Sequence, residues 1–203
     1  MKRPIYIFFV FICLFLFTTT AYSQKYLGIS AGADLYESVD VRLAAAYEWE
    51  RTNALTLQFE IAYVRRENYS LLPFLPVNEN HIRPQINYLE LPILMKFKMH
   101  IEETAIYAIA GPKLGWGLSI ASTRSNERGE YIIVPLEWEE LPIQRWDFGV
   151  SVGLGFEKRI SNEKKIFLEF RYYLGITDLN TSNENDVYNE GKLINLGFSL
   201  PLK

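Results

Sequence analysis

The sequence predicts an all-β chain, an eight-stranded antiparallel up-and-down transmembrane β-barrel, and three observations predict it. Large apolar residues alternate with small or charged ones at period two through eight segments, as strands with two unlike faces require. The connections after the third, fifth and seventh segments are long, whereas the turns between them are short, the pattern of a barrel trimmed at one end and decorated at the other. No segment beyond the first residues carries the 3.6-residue period of a helix.

The chain opens with Lys2 and Arg3, an apolar run from Ile5 to Phe17, and the small polar stretch Thr18 to Ser23. The run is shorter than the roughly 20 residues a spanning helix needs. It therefore reads as a secretory signal peptide over residues 1–23, leaving 24–203 as one barrel domain. The only cysteine, Cys13, lies inside that run, so the mature chain has no disulfide to lean on.

In the first expected strand, Leu27, Ile29, Ala31, Ala33 and Leu35 alternate with Gly28, Ser30, Gly32 and Asp34. The second sets Val41, Leu43, Ala45, Tyr47 and Trp49 against Arg42, Ala44, Ala46 and Glu48. After the turn at Arg51 to Asn53, the third sets Leu55, Leu57, Phe59, Ile61 and Tyr63 against Thr56, Gln58, Glu60 and Ala62. Prolines at 73, 76 and 84 mark Arg65 to Pro84 as a loop. The fourth strand, Tyr88 to Lys98, contains Pro92, which cannot donate to a ladder, so a bulge is expected there. A turn over Met99 to Glu103 leads to the fifth strand, Ile106 to Ser119, and a long loop is expected over Ile120 to Gln144. Trp146 to Glu157 is the clearest strand, with Trp146, Phe148, Val150, Val152, Leu154 and Phe156 on one face. Ser161 to Glu163 turns into the seventh, Ile166 to Ile176. A polar loop, Asp178 to Glu190, precedes the eighth, Ile194 to Leu202.

Period two does not say which face is inside, so a soluble barrel with an oily cavity competes with a membrane barrel. Trp and Tyr at strand ends (Tyr47, Trp49, Tyr63, Trp116, Trp146) match interfacial girdles, and glycine mixed with charge suits the tight interior of eight strands. The apolar face then points to outer-membrane lipid. Arg42, Glu60, Glu90, Lys96, Lys113, Glu169 and Arg171 point into the lumen. Counting across the turn at Arg51 places Arg42 opposite Glu60, Glu90 beside or diagonal to Lys113, and Glu169 and Arg171 opposite Gly155 and Gly153, whose missing side chains leave them room. These charges either pair across the ladder or are solvated by trapped water.

A net charge of −3 offers no basic face for nucleic acid. Only His81 and His100 could serve as an imidazole base, and the topology sets them at opposite ends of the barrel. No catalytic residue, metal site or cofactor is therefore expected, a His81 and serine site within the loops being the one enzymatic arrangement left open. Eight strands also leave no wide pore, though a narrow ion path stays open. The loop end carries apolar residues where loops are normally polar: Leu71, Leu72, Phe74 and Leu75 in one, and Tyr131 to Leu136 with Trp138 in another. Phe74, Tyr131 and Trp138 are the candidate partner-binding residues, unless these groups simply cover one another. A monomeric barrel is expected.

Four segments carry a resemblance: Tyr88-Leu89-Glu90-Leu91-Pro92-Ile93-Leu94-Met95-Lys96-Phe97, Ala110-Gly111-Pro112-Lys113-Leu114-Gly115, Asp147-Phe148-Gly149 with Gly153-Leu154-Gly155, and Phe170 to Thr177. Together they resemble the porin-family, or PorT-like, outer-membrane β-barrels of the Bacteroidetes group. The resemblance spans the mature chain and implies an outer-membrane barrel with no catalytic motif. As an alternative to a structural or binding role, it implies a component of a protein secretion or transport apparatus, with an envelope or secretion-system protein as partner.

Overall fold

The computed structural model describes residues 23–35, 40–67, 83–125, 131–138, 141–181 and 186–202. The expected signal segment up to residue 22, Phe74 and His81 lie outside the described residues. Nine strands are present among the described residues: β1 (Gln24–Asp34), β2 (Asp40–Glu50), β3 (Leu55–Glu67), β4 (Arg83–Ile101), β5 (Thr104–Ser125), β6 (Tyr131–Leu136), β7 (Trp146–Arg159), β8 (Lys165–Gly175) and β9 (Glu190–Leu202). Eight form the wall in the order β1-β2-β3-β4-β5-β7-β8-β9, and β9 returns to β1 to close it. Every pairing is antiparallel, so no edge of the wall is left open within the bilayer.

The apolar face points outward. Ile29 is 67 % and Leu154 63 % exposed, while the inward Lys96 and Glu169 are fully buried. Turned the other way, each charge at the bilayer midplane would cost up to about 2–4 kcal/mol, so the polar faces have one place to go. Aromatic residues gird both ends. Trp116 and Trp146 pair across β5 and β7 and meet edge to face with ring centroids 4.1 Å apart. At the other end Arg51 lies 4.4 Å over the Trp49 ring.

Two expectations need correction. The segment Ile120 to Gln144 is not a plain loop: β5 is 22 residues long, and β6 pairs with its upper part from Ile120 to Ser125. Ile132 and Ile133 are adjacent yet both exposed, so no alternation marks the start of β6, while Leu136 near its end packs partly buried against the apolar cluster around Trp138. At Pro92 there is no bulge. The registers on both sides carry straight past it, with only the neighbouring ladder pairs missing, as the absent N–H dictates. The bulge lies instead at Asn87/Tyr88, which pair with Ser119 and Gly117 and leave Leu118 unpaired between them. Below Leu118 the odd residues of β5 face inward; above it, the even ones do.

A crossing strand needs roughly 9–11 residues, about half the length of β4 (19 residues) and β5 (22 residues). Because β5 pairs with β7 only as far as Trp116, the surplus rises beyond the outer girdle as a β4-β5-β6 ribbon.

Candidate functional site

The inward positions of the wall bring three groups of charges together. In the middle, the Glu60 carboxylate accepts from Arg42 Nη2, from Gln58 Nε2, and from Arg171 Nη1 and Nη2 at 2.9 and 2.7 Å. Arg171 also donates to Glu169, which accepts from the Tyr107 hydroxyl at 2.7 Å and lies 3.1 Å from Lys96 Nζ. Lys96 donates in turn to Glu48 Oε1 at 2.9 Å. Toward the periplasmic end, Lys98 joins Glu50 and Glu157 at 2.8 and 2.9 Å, and Lys165 also donates to Glu50. Toward the outer end, Arg66 bridges Asp34 and Glu90 at 3.1 and 2.9 Å, and Lys113 donates to Glu90 at 2.6 Å. Rings complete the shell: Lys113 Nζ lies 3.1 Å over the Tyr173 ring and Lys165 Nζ 3.3 Å over Tyr26.

All seven inward charges named from the sequence are buried on one interior surface. Their register differs from the simple count in one place. Arg42 pairs with Val64, and Glu60 with Ala46, because the residues between Glu50 and its partner Thr56 make a wider turn than Arg51 to Asn53 alone. The long Arg42 side chain still reaches Glu60 diagonally. Gly155 and Gly153 do pair with Glu169 and Arg171, but the room they leave is not taken by those side chains. A Cβ at Gly155 would stand 2.3 Å from the Tyr107 ring, and one at Gly153 would stand 2.2 Å from the Phe170 carbonyl oxygen. Gly197 likewise admits the Phe167 ring, opposite it on β8.

Sequence reasoning misses Arg66, Glu50 and Lys165 as members of the ladder, and places Lys98 at the end of the fourth strand without naming it among the lumen charges. Arg66, Glu50 and Lys165 sit in or beside segments read as turns and loops, yet their parity matches the inward residues of the same strands. Asn195 is also missed as a connector. Its amide donates to Ser30 and Glu169 at 3.1 and 3.4 Å and its carbonyl accepts from Arg42 at 3.3 Å, so it ties β9 to β1, β8 and β2.

Above the girdle the interior changes character. Ile86, Tyr88, Ile120, Trp138, Leu141, Ile143, Leu179 and Val187 form one buried apolar cluster. Gln144 N donates to the Leu179 carbonyl at 2.8 Å and Thr181 N to that of Pro142 at 2.9 Å, which locks two outer connections together. Trp138 is 6 % exposed and covers Gly117, where a Cβ would lie 2.5 Å from its ring. It is therefore part of this cap, not an exposed docking residue. Tyr131 starts β6, its backbone paired with Ser125. His100 lies at the opposite end, beside the turn at Glu102 and Glu103.

Residues 17–180 match the family described as outer membrane protein beta-barrel domain. The chain belongs to that family. Membership puts this barrel protein in the outer membrane. Among solved structures, a major outer membrane protein from Thermus thermophilus shares the fold, with TM-score 0.53 and 11% identity over 88% of this chain and 99% of that one. Ail, the attachment invasion locus protein of Yersinia pestis, is similar at TM-score 0.46 and 14% identity, covering 89% of this chain and 97% of its own. The outer membrane enzyme PagL is similar at TM-score 0.46 and 12% identity, covering 87% and 99%. No curated protein matches the chain.

Proposed function

We propose that this chain is a non-enzymatic outer-membrane barrel whose lumen is filled by its own charged side chains and which works, as a structural or binding barrel, through its outer end. The observation that carries this reading is the β4-β5-β6 ribbon. It stands above the girdle, and Ile132 and Ile133 on β6 are exposed while the cap beside them is closed. Exposed apolar groups outside the bilayer mark interaction surfaces. Tyr131 begins the same strand, and the binding role passes from Trp138 to Ile132 and Ile133. A photocrosslinker at Ile133 in intact cells should capture an envelope or surface component. The same probe at the lipid-facing Leu154 should not. Equal capture at both positions would overturn the reading.

The filled lumen predicts that the refolded monomer gives no steady conductance in planar bilayers. Export by the cleavable signal predicts a mature chain whose amino-terminal residue is Gln24. A secretion-system component of PorT type is the second reading, favoured by the Tyr88 to Phe97 motif, which forms the β4 crossing and supplies Glu90 and Lys96. Co-purification of an envelope-spanning complex would select it. Turnover of lipid or peptide that vanishes in His81→Ala would instead sink the non-enzymatic reading.

A further inference from the structure

The outer and middle groups of the charge ladder do not abut. Between them lies a small cavity of about 20 Å³, lined by Asp34, Arg42, Arg66, Glu90, Lys113 and Arg171 together with Ser151 and Tyr173. That volume holds one particle of water or halide size and nothing larger.

Hydrogen bonding at the lining sets the chemistry of an occupant. Four cations line this cavity against two carboxylates, with Glu60 and Glu169 pairing Arg42 and Arg171 from behind, so what decides is which donors remain free toward the space. Both carboxylates are already engaged. Asp34 accepts from Arg66 at 3.1 Å and from the Lys192 backbone N–H at 3.0 Å, and Glu90 accepts from Arg66 and Lys113. The groups left over are donors. Arg66 Nη1 and Arg171 Nε are buried without an acceptor, on side chains that are 8 % and 3 % exposed. A buried guanidinium N–H without an acceptor is costly, so the lining calls for an acceptor that brings negative charge and needs no donor of its own kind.

We propose that this cavity is a binding site for a single small monovalent anion of the halide class, held between Arg66 and Arg171 and enclosed by Arg42 and Lys113. The anion binds the folded barrel and not the unfolded chain, so it stabilises the fold in proportion to the logarithm of its concentration once the site is filled.

The test uses the full mature barrel refolded in detergent micelles, with sodium chloride or bromide compared against sodium gluconate at equal ionic strength. The denaturation midpoint should rise with halide along a one-site linkage curve, and bromide-soaked crystals should show one anomalous peak in this cavity. Arg66→Lys keeps the charge but removes the free Nη1 donor, and should weaken the apparent halide affinity about tenfold or more, the worth of one charge-assisted hydrogen bond. Ser151→Val fills the space without touching any charge and should abolish the halide dependence while the barrel still folds. Equal midpoints in halide and gluconate, with no anomalous peak, would mean that a water alone occupies the cavity and would overturn the proposal. So would an unchanged halide curve in Ser151→Val.

Discussion

Lys113 and Ile120 both point inward from β5, yet they belong to opposite chemistries. Lys113 sits below the Trp116 and Trp146 girdle, in an interior of ion pairs wrapped by an apolar outer wall. Ile120 sits above it, in an apolar cluster with Trp138, Leu141 and Leu179. The wall is inverted because its outside solvent is lipid; the cap is conventional because its outside solvent is water. One strand thus carries both codes, and the solvent on the far side decides which residues go in. The boundary coincides with the bulge at Leu118, where the extra residue also switches which parity of β5 faces inward.

Four substitutions test that division, from the largest expected effect on the barrel to the smallest. Glu60→Leu removes the acceptor shared by Arg42 and Arg171, leaving Arg42 its neutral Asn195 acceptor and Arg171 its bond to Glu169, so a buried cation loses its carboxylate. It should destabilise by about 3–5 kcal/mol, measured by urea unfolding in lipid vesicles. A smaller loss would mean that water solvates the ladder. Val152→Arg places a charge on the lipid face near mid-strand of β7, where the residue is 41 % exposed; about 2–4 kcal/mol should be lost in the same assay. Trp138→Ala opens a hole in the cap of a kind that costs about 3–5 kcal/mol in a compact core. Here the loss should be local: faster proteolysis of the outer connections, with the vesicle unfolding midpoint almost unmoved. A matching drop in that midpoint would show that cap and wall are one cooperative unit. Ile133→Arg is the sharpest contrast with Val152→Arg. This site is 61 % exposed but stands in water, so stability should change by no more than about 0.5 kcal/mol while the crosslinking partner is lost.

The wall is legible in the sequence because each of its strands has two unlike faces and a side-chain period of two. Strand β7 reads from Trp146 to Glu157 without a break. β6 is not legible, since Ile132 and Ile133 stand exposed side by side and its six residues leave no alternation to read. Proline at residue 92 points to a bulge, but its missing N–H is met by omitting ladder pairs and not by bending the strand. The charges are readable by parity; which ones touch is not. Contact depends on turn width at Arg51 to Leu55 and on side chains long enough to reach diagonally, as Arg42 does to Glu60. Nor does composition reveal that the inward glycines are seats for Tyr107 and Phe167, since ring and glycine lie on different strands.

The contacts of Asn195 bear on the order in which the molecule can assemble. Its partners Ser30, Arg42 and Glu169 lie on β1, β2 and β8, and the β1 to β9 seam joins the first strand of the wall to the last. Such a contact carries the largest loop-closure penalty in the barrel and belongs late in folding. Until β9 arrives, the Arg42 guanidinium lacks its Asn195 acceptor, so the last strand of the wall to be synthesised also supplies the latch that completes its inner surface.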